Sequence, residues 1–320
     1  MSTTLKDLAQ ITGYSAITIS RAINTPEKVK KATRDKILAE IEKHRYFPNN
    51  VAKALVYNRT NIVFVYIPND LSPTNQFVMQ VNAGISEYLG KHGYSLLVSR
   101  HWYHQEAADG LILMGLSEND EIALRSLAKE KPLVLFGHDP WVDCIDIDNF
   151  EGMRLITEFA IKTGHLQPAF FGINQAKKFT KDRYLGYQKA LAEQHIIENK
   201  SHVIFTDNNS DAGFKEATTL IKKYPEINCI ICSSDDQAIG ALRAAQEMGK
   251  RVPEDLAITG FDGLGSELVT YPKLTTIHQP IFEAGMELAK RLLEKIKHPD
   301  NQGPVVSFYK PSLVIHDTCR

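Results

Sequence analysis

The sequence predicts a small all-α helix-turn-helix head followed by an α/β core of two doubly wound parallel-sheet lobes. Three observations carry this prediction. Residues 4–24, TLKDLAQITGYSAITISRAIN, read as two short helices meeting at a tight turn. Positive charge is concentrated in the same N-terminal stretch. From Asn61 onward, short apolar runs alternate with amphipathic stretches, the pattern of buried parallel strands joined by helices.

The head is read element by element. Thr4 is placed to cap the first helix, with Asp7 three residues on as its capping-box partner. Gly13 ends that helix, because glycine takes the left-handed cap without strain. Ser15 caps the second helix, whose Ile19, Ala22 and Ile23 share one face. Ala16, Ile17, Thr18, Ser20, Arg21 and Asn24 are left to meet an outside partner. A third helix from about Thr33 to His44 buries Ile37, Leu38 and Ile41, and Tyr46 and Phe47 close a small core. Pro48 then breaks the chain. One or two helical turns follow over Asn50 to Val56, with Asn49 or Asn50 as cap. Isolated helices need about 12–15 residues, so this one forms only when braced. The division is a head over 1–48, a hinge helix and linker over 49–60, and a core over 61–320.

Residues 1–60 hold eleven Lys plus Arg against five Asp plus Glu, a net charge of +6 in a chain whose total is −1. The other 260 residues therefore carry −7. A basic head on an acidic body suits a nucleic-acid reader with a separate sensing domain. Helix, short turn, helix is also how proteins enter the major groove.

In the core, residues 62–67, 94–99, 110–115 and 132–137 read as one set of strands, with helices near 76–92 and 118–130. Residues 168–173, 202–206, 228–234 and 256–262 read as a second set, with helices near 181–195, 210–224 and 236–249. Two such sets imply two lobes, with a ligand between them at the carboxyl ends of strands. Asp262 ends one strand, Ser234 and Asp235 end another, and Arg183 begins a helix after a loop. A guanidinium and a carboxylate together can fix a row of ligand hydroxyls. One connection looks too short. Only RHWYHQEAAD joins the run at 94–99 to the run at 110–115, where a parallel crossover takes about a dozen residues or more. The expectation is a missing crossover helix, with Trp102 and Tyr103 covering bared sheet or meeting a dimer mate.

Other patterns carry less. Cys229 and Cys232 have metal or redox spacing, but strand residues three apart face opposite sides and no second pair completes a zinc site. His101 and His104 read as loop histidines. The glycines of GFDGLG (260–265) do not match the dinucleotide fingerprint, and no nucleophile elbow or P-loop occurs. The expectation is no enzyme, no cofactor and no metal. No apolar run approaches the roughly 18 residues of a membrane span, and no signal-peptide core opens the chain. A cytoplasmic protein without membrane partners is expected.

The chain resembles the lactose-repressor/galactose-repressor (LacI/GalR) family of bacterial transcription regulators. Thr4-Leu5, Asp7, Ala9, Gly13, Ser15, Thr18, Ser20-Arg21 and Asn24 match its opening pattern, and Asn49, Val51-Ala52 and Ala54-Leu55 its hinge. DGLILMG (109–115), DNFEGMRL (148–155), RYLGYQKAL (183–191), AIGALRAAQEMGKRVPEDLAITGFDG (238–263) and LTTIHQP (274–280) look like family blocks in the family order. The resemblance implies a periplasmic-binding-protein-like core whose chain crosses between lobes three times, the last time after LTTIHQP. It implies DNA contacts by Thr4, Ser15, Ala16, Ile17, Thr18, Ser20, Arg21 and Asn24. Asn49, Ala52, Lys53 and Leu55 would serve the hinge, Leu55 as a minor-groove wedge. Effector contacts would come from Arg183, Asp262, Phe77, Val78, Asp148, Ser234 and Asp235. Ser234 departs from the family's asparagine there, so the effector cannot be borrowed from relatives. The expected partners are a near-palindromic double-stranded DNA operator, a second copy in a homodimer, and a small-molecule effector. A sugar or sugar phosphate comes first and a purine or phosphoprotein co-repressor second. Expected from this is a repressor of carbohydrate use. A solute receptor without a DNA role is the rival of a different class.

Overall fold

Thr4 starts the first helix as the sequence requires. Its hydroxyl accepts the Asp7 backbone N–H at 3.3 Å, and the Asp7 carboxylate accepts the Thr4 backbone N–H at 2.8 Å. Those bonds to Thr4 hold the Asp7 carboxyl below the usual carboxylate range. The structure is a computed structural model and describes residues 3–44, 46, 59–101, 107–298 and 303–320. The chain divides into two units, Met1–Thr60 and Asn61–Arg320.

In the first unit, α1 (Leu5–Thr12) ends at Gly13, whose φ of 72° is left-handed. Ser15 caps α2 (Ala16–Asn24) by accepting the Thr18 N–H at 3.2 Å. After a short 3₁₀ turn, Pro26–Lys28, α3 (Lys31–Lys43) completes the bundle. Leu8, Ile19, Ala22 and Ile37 are buried together, with Ile23, Ile41 and Tyr46 against them. Leu38 corrects the expected stripe: it is 43 % exposed, because the face opposite α1 and α2 begins one residue after Ile37. Phe47 and the hinge residues Asn49, Ala52, Lys53 and Leu55 lie outside the described residues.

The second unit runs β1 (Ile62–Tyr66), α4 (Gln76–Lys91), β2 (Ser95–Ser99), β3 (Gly110–Met114), α5 (Glu121–Glu130), β4 (Leu133–Phe136), β5 (Asp143–Ile147), α6 (Asn149–Lys162), β6 (Pro168–Ile173), α7 (Lys178–Glu193), β7 (Val203–Thr206), α8 (Ser210–Lys223), β8 (Cys229–Cys232), α9 (Asp235–Glu247), β9 (Ala257–Thr259), β10 (Thr276–His278), α10 (Ile281–Lys297), β11 (Val306–Tyr309) and β12 (Ser312–Val314). Two sheets result. The first lobe is a six-stranded parallel sheet ordered β11-β5-β4-β3-β1-β2. The second is a four-stranded parallel sheet ordered β7-β6-β8-β9, beside the antiparallel pair β10–β12. The chain passes between lobes after β5, after β10 and after β11.

Strand alternation sorts the cores. Val63, Val65, Ile112 and Ile145 face α4 and α10, while Phe64, Leu111, Leu113 and Leu133 face α5. In the second lobe Ile230 and Cys232 face α8 and α9, while Cys229 and Ile231 face α6 and α7. Cys229 and Cys232 thus lie on opposite faces, and all four cysteines are buried and free. Helices α4 and α10 touch through Gly84 and Gly285. A Cβ on Gly84 would collide with the Phe282 carbonyl.

The apolar run at 94–99 reads as a buried strand. In fact β2 is an edge strand, with Leu97 44 % and Val98 45 % exposed. Residues 100, 101 and 107–109, which flank the short crossover, contain no helix. Trp102 and Tyr103 lie outside the described residues. No described helix is long and apolar enough to cross a membrane.

Candidate effector cleft and DNA-reading helix

The carboxyl ends of β4, β5 and β6 and the start of α7 face each other across a cleft of about 150 Å³. Arg183, Asp262, Asp146, Asn149 and His138 line it with Phe77, Phe136 and Phe179. Arg183 sits in the second turn of α7, not at its start as the sequence suggested. It is 5 % exposed and lies 3.8 Å above the Phe261 ring centroid. Its Nε donates to Asn149 Oδ1 at 2.8 Å and its Nη1 to the Ser233 carbonyl. Nη1 also stands 3.6 Å from Asp262 Oδ1. The guanidinium is therefore fixed before any ligand arrives.

Asp262 follows β9 with φ 139°, a strained conformation for a side chain with a Cβ. It is held there by its own backbone bonds to Ile277 and Gln279 and by Gln279 Nε2, 2.7 Å from Oδ1. Burial pushes its carboxyl well above the usual range, with the Arg183 charge opposing. Asp146, on β5, accepts from His138 Nδ1 at 2.9 Å, and this bond raises the imidazole.

Of the other expected effector residues, only Phe77 lines this cleft. Val78 is buried in the first-lobe core, while Phe77 lines the cleft edge-on to Phe136, ring centroids 5.2 Å apart. Asp148 caps α6 by accepting the Glu151 N–H. Two residues earlier, Asp146 occupies the cleft instead. Ser234 caps α9, its hydroxyl turned to the Gln237 N–H. Asp235 is consumed internally, accepting from Thr276 at 2.6 Å and the Gly263 N–H at 2.8 Å. Burial pushes its carboxyl up to about 6. It borders only a second recess, beside Phe77 and Asp262. Asp146, Asn149, His138, Phe136 and Gln279 were missed in the sequence. The available signal, for Asp146, was a carboxylate one residue before the end of an unrecognised strand.

The lobes are tied across the cleft mouth. Lys177, just before α7, pairs with Asp70 of the first lobe. Lys178 donates to the His138 carbonyl at 3.0 Å and pairs with Glu121 at 3.2 Å. His138 faces Asp182 of α7 at 3.8 Å.

In the head, α2 presents Ile17, 65 % exposed, with exposed Ser15 and Arg21 on the side away from the small core. Ala16, Thr18 and Ser20 are half-buried beside them, and Thr4 is exposed at the start of α1. Asn24 closes α2.

Comparison with known proteins decides the family. Residues 4–49 match the bacterial regulatory proteins of the lacI family, and residues 157–319 match the periplasmic binding protein-like domain. An HTH-type transcriptional regulator of Bacillus subtilis, YvdE, is 35% identical over 318 residues, 98% of this chain and 99% of its own. The chain belongs to the LacI family. The HTH-type transcriptional repressor PurR of Haemophilus influenzae is 30% identical over 93% of this LacI-family chain and 92% of its own. The lac repressor dimer bound to operator and the anti-inducer ONPF superposes with a TM-score of 0.87 at 25% identity, covering 99% of both chains. The regulator CelR in complex with cellobiose superposes with a TM-score of 0.74 at 26% identity, again over 99% of both. This LacI-family protein is a DNA-binding transcriptional regulator with a ligand-binding domain.

Proposed function

We propose that this regulator is a homodimeric repressor of carbohydrate-utilisation genes, and that a neutral sugar in the interlobe cleft is its inducer. The charge balance of the cleft carries the reading. Its lining has three Lys or Arg (Lys177, Lys178, Arg183) and four carboxylates (Glu121, Asp139, Asp146, Asp262). Each of those cations already faces a carboxylate of the protein. Such a site offers a phosphate or other anion no cation that is not already paired. It suits hydroxyls, which donate to carboxylates and accept from a fixed guanidinium. Phe77, Phe136 and Phe179 offer apolar faces to ring C–H groups.

Two copies of the basic head read two half-sites of a near-palindrome, and each is weak alone. On α2, Ile17 and Ala16 suit thymine methyls, Ser15, Thr18 and Ser20 suit phosphates or base edges, and Arg21 suits guanine or phosphate. The sugar acts by binding one closure state of the lobes better than the other. The lobes are tied by Lys177–Asp70 and Lys178–Glu121, so closure has defined contacts to make or lose.

The test is a thermal-shift screen of the full chain against neutral sugars, sugar phosphates and purine bases, followed by operator gel shifts with each hit. A neutral sugar that raises the melting temperature and releases the operator is expected. A purine or sugar phosphate acting in place of every neutral sugar would overturn the reading.

A further inference from the structure

The cleft continues from the Arg183–Asp262 pair toward the start of α5. There Asp139 lines it, and one of its carboxylate oxygens accepts no hydrogen bond among the described residues. Asp139 follows β4 and is 2 % exposed. Its Oδ1 accepts the Trp141 backbone N–H at 2.8 Å. Its Oδ2 is buried, and among the described residues no group donates to it. The nearest cations, Lys178 Nζ and Arg125 Nη2, stand 3.8 and 4.0 Å away, beyond hydrogen-bond reach. Both are engaged with Glu121, at 3.2 and 3.1 Å. The Asp139 backbone is held by Cys144, whose Sγ accepts the Asp139 N–H at 3.2 Å. A buried charged acceptor left without a donor is costly. A rigid one lining a ligand cleft asks for its donor from the ligand.

The geometry of α7 separates this place from the first. Phe179 and Arg183, four residues apart, form one strip of the helix, beside Asp262. Lys178 and Asp182, also four apart, form the neighbouring strip, against His138. Five residues separate Lys178 from Arg183, about 7.5 Å along the axis. Asp139 stands against the Lys178 strip and Asp262 against the Arg183 strip.

We propose that Asp139 is the acceptor of a second sugar subsite, so that the effector is at least a disaccharide. Its first ring is held by Arg183 and Asp262, and a hydroxyl of its second ring donates to Asp139 Oδ2. Leu124 and Leu135, which line the same end of the cleft, meet that ring's apolar face. This proposal rests on the cleft being a neutral-sugar site.

Titration calorimetry of the full chain tests it, with maltose, cellobiose, lactose, sucrose and trehalose set against glucose, galactose and fructose. Wild type, Asp139→Ala and Asp139→Asn are compared, the last because it retains the turn to Trp141 if the alanine variant misfolds. One disaccharide should bind more tightly than either of its component sugars. Asp139→Ala should weaken it on the order of tenfold or more, the loss expected for one hydrogen bond to a charged group. Binding of the component sugar should not change. If a monosaccharide binds as tightly as every disaccharide, or both Asp139 variants bind a disaccharide like wild type, the second subsite is wrong while the sugar reading stands. If no sugar binds wild type, both fall together.

Discussion

Arg183 Nη1 lies 3.6 Å from Asp262 Oδ1, and both side chains come from the second lobe. The pair therefore forms without any closure of the lobes. Arg183 is packed on Phe261 and bonded to Asn149 and Ser233, whereas the Asp262 side chain keeps 29 % of its surface accessible. The guanidinium is the fixed member and the carboxylate is the one left open to the cleft.

That asymmetry separates two variants. Arg183→Ala strips the cation from a largely buried carboxylate and leaves Asn149 and Ser233 without their donor. It should cost about 3–5 kcal/mol in urea unfolding at pH 7.5. Asp262→Asn should cost far less. Burial raises the Asp262 carboxyl, so the charged form is the disfavoured one and its stability contribution is lost as pH rises through the raised value. Both variants should lose the effector-induced rise in melting temperature. Asp262→Asn should still bind operator like wild type. An Asp262→Asn protein that responds fully to effector removes this carboxylate from the site.

The parts of this structure legible in sequence are those whose partners are local. Thr4, Gly13 and Ser15 bond within three or four residues, so their caps could be read directly. The buried strands β3 and β6 are unbroken apolar runs. Strand β5, DCIDI, was not legible because two aspartates interrupt it. Asp143 is satisfied by Lys295 of α10 and by the Val305 N–H, more than 150 residues away in the chain. Asp146 is satisfied by His138. The same distance effect misled in the other direction at the cleft. Asp235 looks like a ligand residue until Thr276 and Gly263 occupy its oxygens. The apolar run of β2 reads as buried, but only one neighbour strand covers it.

His138 gives the first lobe a pH-sensitive bond to Asp146, beside Asp182 of the second lobe. Its bond to Asp146 raises the imidazole above 6.5, with Asp182 adding to the shift and burial and Lys178 opposing it. A raised histidine stabilises fully below the unfolded value and loses that contribution as pH rises through the folded one. The melting temperature of wild type minus that of His138→Gln should be largest near pH 6 and should shrink above neutrality. A difference that stays flat from pH 5.5 to 8.5 rejects the role.

Gly84 lies where α4 and α10 come closest, and a methyl there meets the Phe282 carbonyl rather than a movable side chain. Gly84→Ala should therefore destabilise the core unit by about 1–3 kcal/mol, even though alanine is the better helix former. Urea unfolding followed by circular dichroism reads this directly. An equal or higher midpoint means the helices can part without loss.

The head offers the sharpest separation of folding from recognition. Ser15 and Ile17 are two residues apart on α2, but only Ser15 holds the helix, through its bond to the Thr18 N–H. Ser15→Ala should cost the helix about 1 kcal/mol. Ile17 is 65 % exposed and packs on nothing in the head's small core, so Ile17→Ala should leave the melting curve of the head unmoved. If Ile17 meets a thymine methyl, its loss lowers affinity for the operator while affinity for random DNA holds. The slope of log K against log salt also stays the same, because no phosphate contact is lost. Parallel losses on operator and random DNA would place Ile17 outside the groove and turn the reading of α2 to another of its faces.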